Sequence, residues 1–151
     1  MEQALKNILA ICDGDLDVIA QMATISCELF HGDERFDWVG FYRNIGDDIL
    51  KIGPYQGGHG CLTIPFSKGV CGAAARLRET IIVDDVNAFE GHIACSTSTV
   101  SEIVLPVLGP DGALIGVLDI DSNQPAVFTK ADARALEAML YDIFAKGQKS
   151  T

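Results

Sequence analysis

Apolar residues near the N-terminus recur every three or four positions. This spacing puts them on one face of a helix, and it predicts helical structure within residues 3–30. Gly14 interrupts the pattern, so we expect two helical pieces, with Asp15 as the N-cap of the second. The residues of the repeated face are Val18, Met22, Ile25 and Leu29.

The C-terminal segment shows a second helical pattern. Thr129 is followed three residues later by Asp132, a variant of the capping box that opens a helix. One apolar stripe follows at helical spacing, so we expect a C-terminal helix with one buried face. The residues of this stripe are Leu136, Met139, Leu140, Ile143 and Phe144.

The centre of the chain predicts strands instead. A Gly46-Asp47 turn and a Gly-rich turn over residues 109–112 each join two alternating segments, which indicates two hairpins. Helices at both ends of a largely antiparallel sheet give an α+β fold, in a single domain over residues 1–151. The predicted strands cover residues 38–45, 48–55, 63–64, 80–83, 102–108 and 113–122.

Composition and charge exclude some classes of function. The chain of 151 residues is 48% hydrophobic with a net charge of −10, and its eleven Lys and Arg are dispersed. This argues against nucleic acid as a partner. The longest apolar runs, such as 103–108, are too short to span a membrane, and residues 1–15 do not resemble a signal peptide. We therefore expect a cytoplasmic protein without a membrane partner.

The chain has five cysteines, an odd number without an export signal, which argues against a structural disulfide framework. Cys12 and Cys27 fall among apolar helical residues, where cysteine usually packs as a small hydrophobe. The other three, Cys61, Cys71 and Cys95, lie in Gly-rich or polar segments. Those three are the candidates for chemistry.

The spacing of these three cysteines leaves two interpretations open. No C-x₂₋₄-C or H-x₃₋₅-H pair occurs, so we expect no metal site. Thiol redox chemistry needs no fixed spacing, but three unrelated buried thiols fit as well. Cys71 follows Gly69 at the predicted start of a short helix, where the dipole would favour a thiolate. Cys95 lies in a long loop, residues 87–101, of the kind that is often functional.

Two further groups of residues point to a site. Asp119 and Asp121 alternate along an apolar strand and so share one face, and Glu102 begins the preceding strand. Unpaired carboxylates on a half-buried strand are costly and often mark a site. Trp38 and Tyr42 share a face of the first strand and are either core residues or the walls of a small pocket.

Six motifs, in this order along the chain, resemble those of the free methionine-(R)-sulfoxide reductases, which are GAF-domain enzymes. The resemblance extends from Gly14 to Phe128. The motifs are WVGFY (38–42), GPYQG (53–57), KGVCG (68–72), GHIAC (91–95), SEIV (101–104) and GVLDIDS (116–122).

The resemblance implies a GAF-like fold, with a central six-stranded antiparallel sheet and the N- and C-terminal helices packed on one face. It also implies a homodimer, no cofactor and thioredoxin as the reductant. In the implied reaction, Cys95 attacks the sulfoxide and becomes a sulfenic acid, Cys61 resolves it as a disulfide, and Cys71 relays or substitutes. The attacking and resolving roles are less secure than the trio itself.

The resemblance also implies roles for the polar and aromatic residues. Glu102 would protonate the departing oxygen, because an unprotonated oxygen is a poor leaving group. Asp119 and Asp121 would bind the ammonium group of free methionine sulfoxide. Trp38 and Tyr42 would enclose its methylsulfinyl end.

The chain departs from the family pattern at two places, and one alternative function stays open. Ser96 stands where Asp is common, and residues 58–60 read Gly-His-Gly where the family tends toward Ala before Cys61. The alternative is a GAF module that senses a small ligand and performs no reaction. Such sensors are usually fused to an output domain, whereas this chain ends soon after its last predicted helix.

Overall fold

An antiparallel sheet of six strands forms the centre of the structure, a computed structural model that describes residues 1–146. The strand order is β3-β2-β1-β6-β5-β4, so β1 and β6 lie in the middle. The strands are β1 (Trp38–Asn44), β2 (Ile49–Gln56), β3 (Thr63–Pro65), β4 (Ile81–Val83), β5 (Ser101–Leu108) and β6 (Leu114–Ser122). The predicted hairpins, β1–β2 and β5–β6, are both confirmed. In each, two consecutive strands pair antiparallel.

Four α-helices accompany the sheet. They are α1 (Glu2–Ile11), α2 (Val18–Gly32), α3 (Gly69–Leu77) and α4 (Lys130–Leu140), and a π-helical segment, Tyr141–Ala145, continues α4. No helix within residues 1–146 is both long enough and apolar enough to cross a membrane.

The helix caps are partly as predicted. Thr129 and Asp132 form the expected capping box at α4. The prediction that Asp15 caps α2 is wrong, because the Asp17 side chain accepts the cap hydrogen bond from the Ala20 amide, at 2.9 Å. Asp15 instead accepts from the Asp17 amide and so shapes the turn before the helix.

One face of the sheet is covered by α1, α2 and α4, as the resemblance implied. Ile8, Met22 and Leu136, one from each helix, are fully buried against strand residues such as Phe41 and Leu118. This face carries the main hydrophobic core, and burial of apolar side chains of this size contributes about 1.5–3 kcal/mol each.

The two helical cysteines differ in their environment. Cys12 belongs to this core, as expected. The expectation that Cys27 packs in the core is wrong, because Cys27 is exposed on α2.

A cluster of charged groups joins the helix ends. Arg35 bonds Asp33 and Asp132 at 2.8 Å each, and also donates to the Val127 carbonyl. The amino group of Met1 lies 3.4 Å from Asp33. The cluster therefore ties the N-terminus, the end of α2 and the start of α4 together.

The opposite face of the sheet carries α3 and the loop that precedes β5. A second buried cluster lies here, and it includes Trp38, Tyr42 and Cys71. Because α1, α2 and α4 fill the other face, this is the face on which the candidate residues meet.

Candidate active site

Three carboxyl groups meet on this second face. Glu102 of β5 pairs in register with Asp121 of β6, and Asp119 lies two residues further along the same face. The side chains are buried, with Glu102 7% and Asp119 5% exposed. The predicted grouping of the three residues is thus present in the structure.

Burial raises the pKa of all three carboxyl groups well above the usual range. Desolvation is the largest cause in each case, and the charge of a neighbouring carboxylate comes next: Asp119 for Glu102, Asp121 for Asp119, and Glu102 for Asp121. The group therefore holds protons at pH values where an exposed carboxylate would not.

Two oxygens of this group are unsatisfied. Asp119 Oδ1 and Asp121 Oδ1 are buried and have no hydrogen-bond partner among the described residues. A buried polar atom without a partner usually marks a place where a ligand or water binds. The arrangement suits a cationic donor, such as an ammonium group.

Aromatic rings form one wall beside the carboxyl groups. The Trp38 ring stacks on Tyr42 and Tyr55, with ring centroids 6.0 and 5.3 Å apart. The Trp38 Nε1–H donates to the Gly58 carbonyl at 2.7 Å, which fixes the segment that leads to Cys61. Gly40 permits this stack, because a Cβ there would collide with both Trp38 and Tyr55.

Cys61 and Cys95 form a disulfide, with their Cα atoms 5.3 Å apart. Cys61 lies between β2 and β3, and Cys95 lies in the loop before β5, so the fold brings together residues 34 positions apart. The intramolecular disulfide that the resemblance implied is thus present, and Cys95 lines the same pocket as the carboxyl groups.

The loop that carries Cys95 is tied to the start of α3. The Gly69 amide donates to the Gly91 carbonyl at 3.0 Å, and Gly69 adopts a φ of +70°. A residue with a side chain is strained at that φ, so glycine suits this junction.

Cys71 is a free thiol and does not join the disulfide. It lies in the first turn of α3, is 4% exposed and also lines the pocket. The prediction that Cys71 is a thiolate is wrong. Burial raises the pKa of Cys71 well above its usual value, and the nearby charge of Asp119 raises it further. The helix N-terminus does not outweigh this loss of solvation.

The pocket includes residues that the sequence did not single out. His92, Ile93 and Thr99 come from the long loop, and Gly60 and Val70 flank the two other cysteines. His92 and Ile93 belong to the GHIAC motif and Val70 to the KGVCG motif, whereas only proximity to a cysteine pointed to Gly60 and Thr99. The free volume is about 40 Å³, room for about three water molecules, so little space is left in this disulfide form.

Comparison with known proteins identifies the family. The protein-family model described as "GAF domain" matches residues 15–143. Protein YtsP of Bacillus subtilis is 43% identical over 133 residues, which is 87% of this chain and 81% of that protein. The free methionine-R-sulfoxide reductase of Saccharomyces cerevisiae is 38% identical over 145 residues, which is 92% of this chain and 81% of that enzyme.

A solved structure gives the same result. The free methionine-R-sulfoxide reductase of Neisseria meningitidis, in complex with its substrate, superposes with a TM-score of 0.87 at 38% identity. The match covers 94% of this chain and 84% of that one. The chain therefore belongs to the GAF-domain family, and within it to the free methionine-R-sulfoxide reductases.

Proposed function

We propose that the protein reduces free L-methionine-(R)-sulfoxide to L-methionine with its own cysteines as the immediate reductant. The observation that carries the proposal is the position of the Cys61–Cys95 disulfide, which has one partner in the pocket of Glu102, Asp119 and Asp121. The similarity to reductases of this class supports it.

Cys95 is the attacking residue in this proposal, because it lines the pocket directly. Its thiolate attacks the sulfoxide sulfur, the S–O bond breaks, and oxygen and a proton end on Cys95 as a sulfenic acid while methionine leaves. The Cys61 thiol then displaces water and forms the disulfide. The high pKa of Cys71 makes it a poor first nucleophile, so its relay or substitute role is secondary.

The three carboxyl groups have different roles in this proposal. Glu102 is the proposed acid, because burial raises its pKa and so favours the form that can donate a proton. Asp119 and Asp121 bind the ammonium group, whose positive charge favours their ionised forms and satisfies their free oxygens. This would select the free amino acid over a peptide residue, which has no ammonium group at that position.

Trp38 and Tyr42 enclose the methylsulfinyl end of the substrate. Their stacked rings form an apolar wall beside the carboxyl groups. The disulfide form leaves room for only a few waters, so we infer that reduction must release the Cys95 loop before the substrate enters.

The test is a dithiol-dependent assay of both methionine sulfoxide epimers with separation by chromatography. We expect turnover of the R epimer as the free amino acid and none of the S epimer. Failure to convert either epimer with dithiol present would overturn the proposal and favour a GAF module that only binds a ligand. Full activity in Cys95→Ser would move the attacking role to Cys71.

Three further features rest on the family resemblance or on the sequence pattern. We propose thioredoxin as the physiological reductant, a homodimer as the assembly and the cytoplasm as the location. Thioredoxin-coupled oxidation of NADPH and the mass of the protein in solution test the first two. Retention in the cytosolic fraction tests the third.

A further inference from the structure

A thiol and two carboxyl groups converge beneath the aromatic wall. One ligand atom from each of Cys71, Glu102 and Asp119 lies within 4.8 Å of the other two, and all three residues are buried. The proposed reaction requires the carboxyl groups but leaves Cys71 without a primary role. The three come from α3, β5 and β6, so the backbone holds them in place.

A second observation shows that this cluster is incomplete. Asp119 Oδ1 has no hydrogen-bond partner among the described residues, although Asp119 is only 5% exposed. Asp121 Oδ1, beside it, is equally unpartnered. An oxygen left unpaired in this way costs free energy that a bound cation would recover.

We propose that Cys71, Glu102 and Asp119 bind a thiophilic divalent cation, with Zn²⁺ as the best fit. One sulfur and two carboxylate oxygens are three protein ligands, and water takes the fourth tetrahedral position. The Cys71 thiol and any protonated carboxyl ligand release their protons to solvent as the bonds to zinc form, and no group is oxidised or reduced. The cation is a competing ligand and not a cofactor.

The ligand set and the space select against other divalent cations. Ca²⁺ prefers six to eight oxygen ligands, and Mg²⁺ prefers octahedral oxygen with several waters. A thiolate instead favours Zn²⁺ and other soft metals. The pocket has about 40 Å³ of free volume, which leaves room for an ion and its water but not for an amino acid.

The proposed cation site differs from the Cys61–Cys95 pair in its dependence on redox state. Cys61 and Cys95 cannot act as ligands while they form the disulfide, but Cys71 stays free. Zn²⁺ should therefore bind to the oxidised protein. In the reduced protein the cation would occupy the position proposed for the substrate ammonium group and compete with it, and this second consequence rests on the proposed function.

A pair of side chains on α2 could also bind zinc and must be removed first. Cys27 Sγ lies 3.8 Å from His31 Nδ1, one turn apart on the exposed side of α2. The experiment therefore uses Cys27→Ser as the parent protein. Cys27 lies outside the pocket, so this change leaves the proposed chemistry intact.

Calorimetric titration of the oxidised Cys27→Ser protein with ZnCl₂ tests the proposal. We expect one Zn²⁺ per chain, and a further Cys71→Ser or Asp119→Asn change should weaken binding by more than tenfold, since loss of an outer-shell partner alone costs about 10–100-fold. Asp13→Asn, at an exposed carboxylate, is the control and should bind as the parent does.

Co²⁺ gives a readout that needs no variant at the site. Cobalt bound to the parent protein should show a sulfur-to-cobalt charge-transfer band in the near ultraviolet. Absence of that band, no zinc binding by the oxidised parent, or equal binding by Cys71→Ser would each overturn the proposal. Zinc binding without turnover of either epimer would support the cation site and overturn the proposed function instead.

Discussion

Glu102 and Asp121 face each other across the antiparallel pair of β5 and β6. Like charges directly opposite on neighbouring strands destabilise a sheet, and burial increases the cost. Burial raises the pKa of Glu102, which favours its protonated form and so reduces part of the repulsion. The pair is therefore costly to the fold, which is consistent with the proposed role of these carboxyl groups in binding a ligand.

Asp119→Asn should stabilise the protein at neutral pH. Its pKa is raised in the folded state, so folding favours the protonated form, and the free energy of unfolding falls as pH rises above the unfolded pKa of about 4. Asparagine does not ionise, so the variant does not lose this stability as pH rises. Urea unfolding should therefore show a gain in stability for the variant at pH 8 that disappears near pH 3.5.

The same variant should lose substrate affinity. A hydrogen bond to a charged group is worth about 1.5–3 kcal/mol, so KM for the free sulfoxide should rise by about tenfold or more. Asp13→Asn is the matched control and should change neither quantity. Equal stability of Asp119→Asn and wild type at pH 8 would contradict the raised pKa.

Local sequence pattern predicted the sheet and the acidic group well. Alternation fixes which residues share a face of a strand, so the positions of Glu102, Asp119 and Asp121 follow from the hairpin alone. Strand ends agree with the structure to within one residue for the same reason.

Predictions that depended on tertiary environment failed. The pKa of Cys71 is raised first by burial and then by the charge of Asp119, which is 48 residues away in sequence. No local rule reveals either effect. Cys27 lies two residues from both Ile25 and Leu29, so helical geometry turns it away from their face. Its apolar neighbours in sequence were therefore misleading.

Cys61→Ser should leave Cys95 as a sulfenic acid after one turnover without added reductant, whereas wild type should form the disulfide. Cys95 can still attack, but its sulfenic acid has no partner at the position that Cys61 occupies. We expect about one methionine per chain and a sulfenic acid that a dimedone probe traps. Cys27→Ser is the control and should behave as wild type, whereas Cys95→Ser should form no methionine.

The free thiols should differ in their reaction with iodoacetamide. Cys27 is exposed and should be alkylated rapidly in the native oxidised protein. Cys12 and Cys71 are buried, and burial raises the pKa of both, so each should react only after unfolding. Peptide mass spectrometry measures this directly, and rapid native labelling of Cys71 would restore it as a candidate nucleophile.

Trp38 is the only tryptophan of the chain and lies in the pocket wall, so its fluorescence should report on the site. Reduction of the disulfide and addition of the sulfoxide should each change the emission. Trp38→Phe keeps an aromatic ring but loses the bond to the Gly58 carbonyl, so KM should rise with little loss of stability. An unchanged KM would indicate that Trp38 does not contact the substrate.

Arg35→Met should lower stability by about 2 kcal/mol at pH 7, because it removes charged hydrogen bonds to Asp33 and Asp132 and keeps the apolar part of the side chain. Arg35 lowers the pKa of Asp33 to about 2, so this contribution is present above the unfolded pKa of about 4. It is lost as pH falls toward 2. The difference between variant and wild type in urea unfolding should therefore shrink from pH 7 to pH 3. Arg134→Met, at an exposed arginine of α4, should show no such pH-dependent difference.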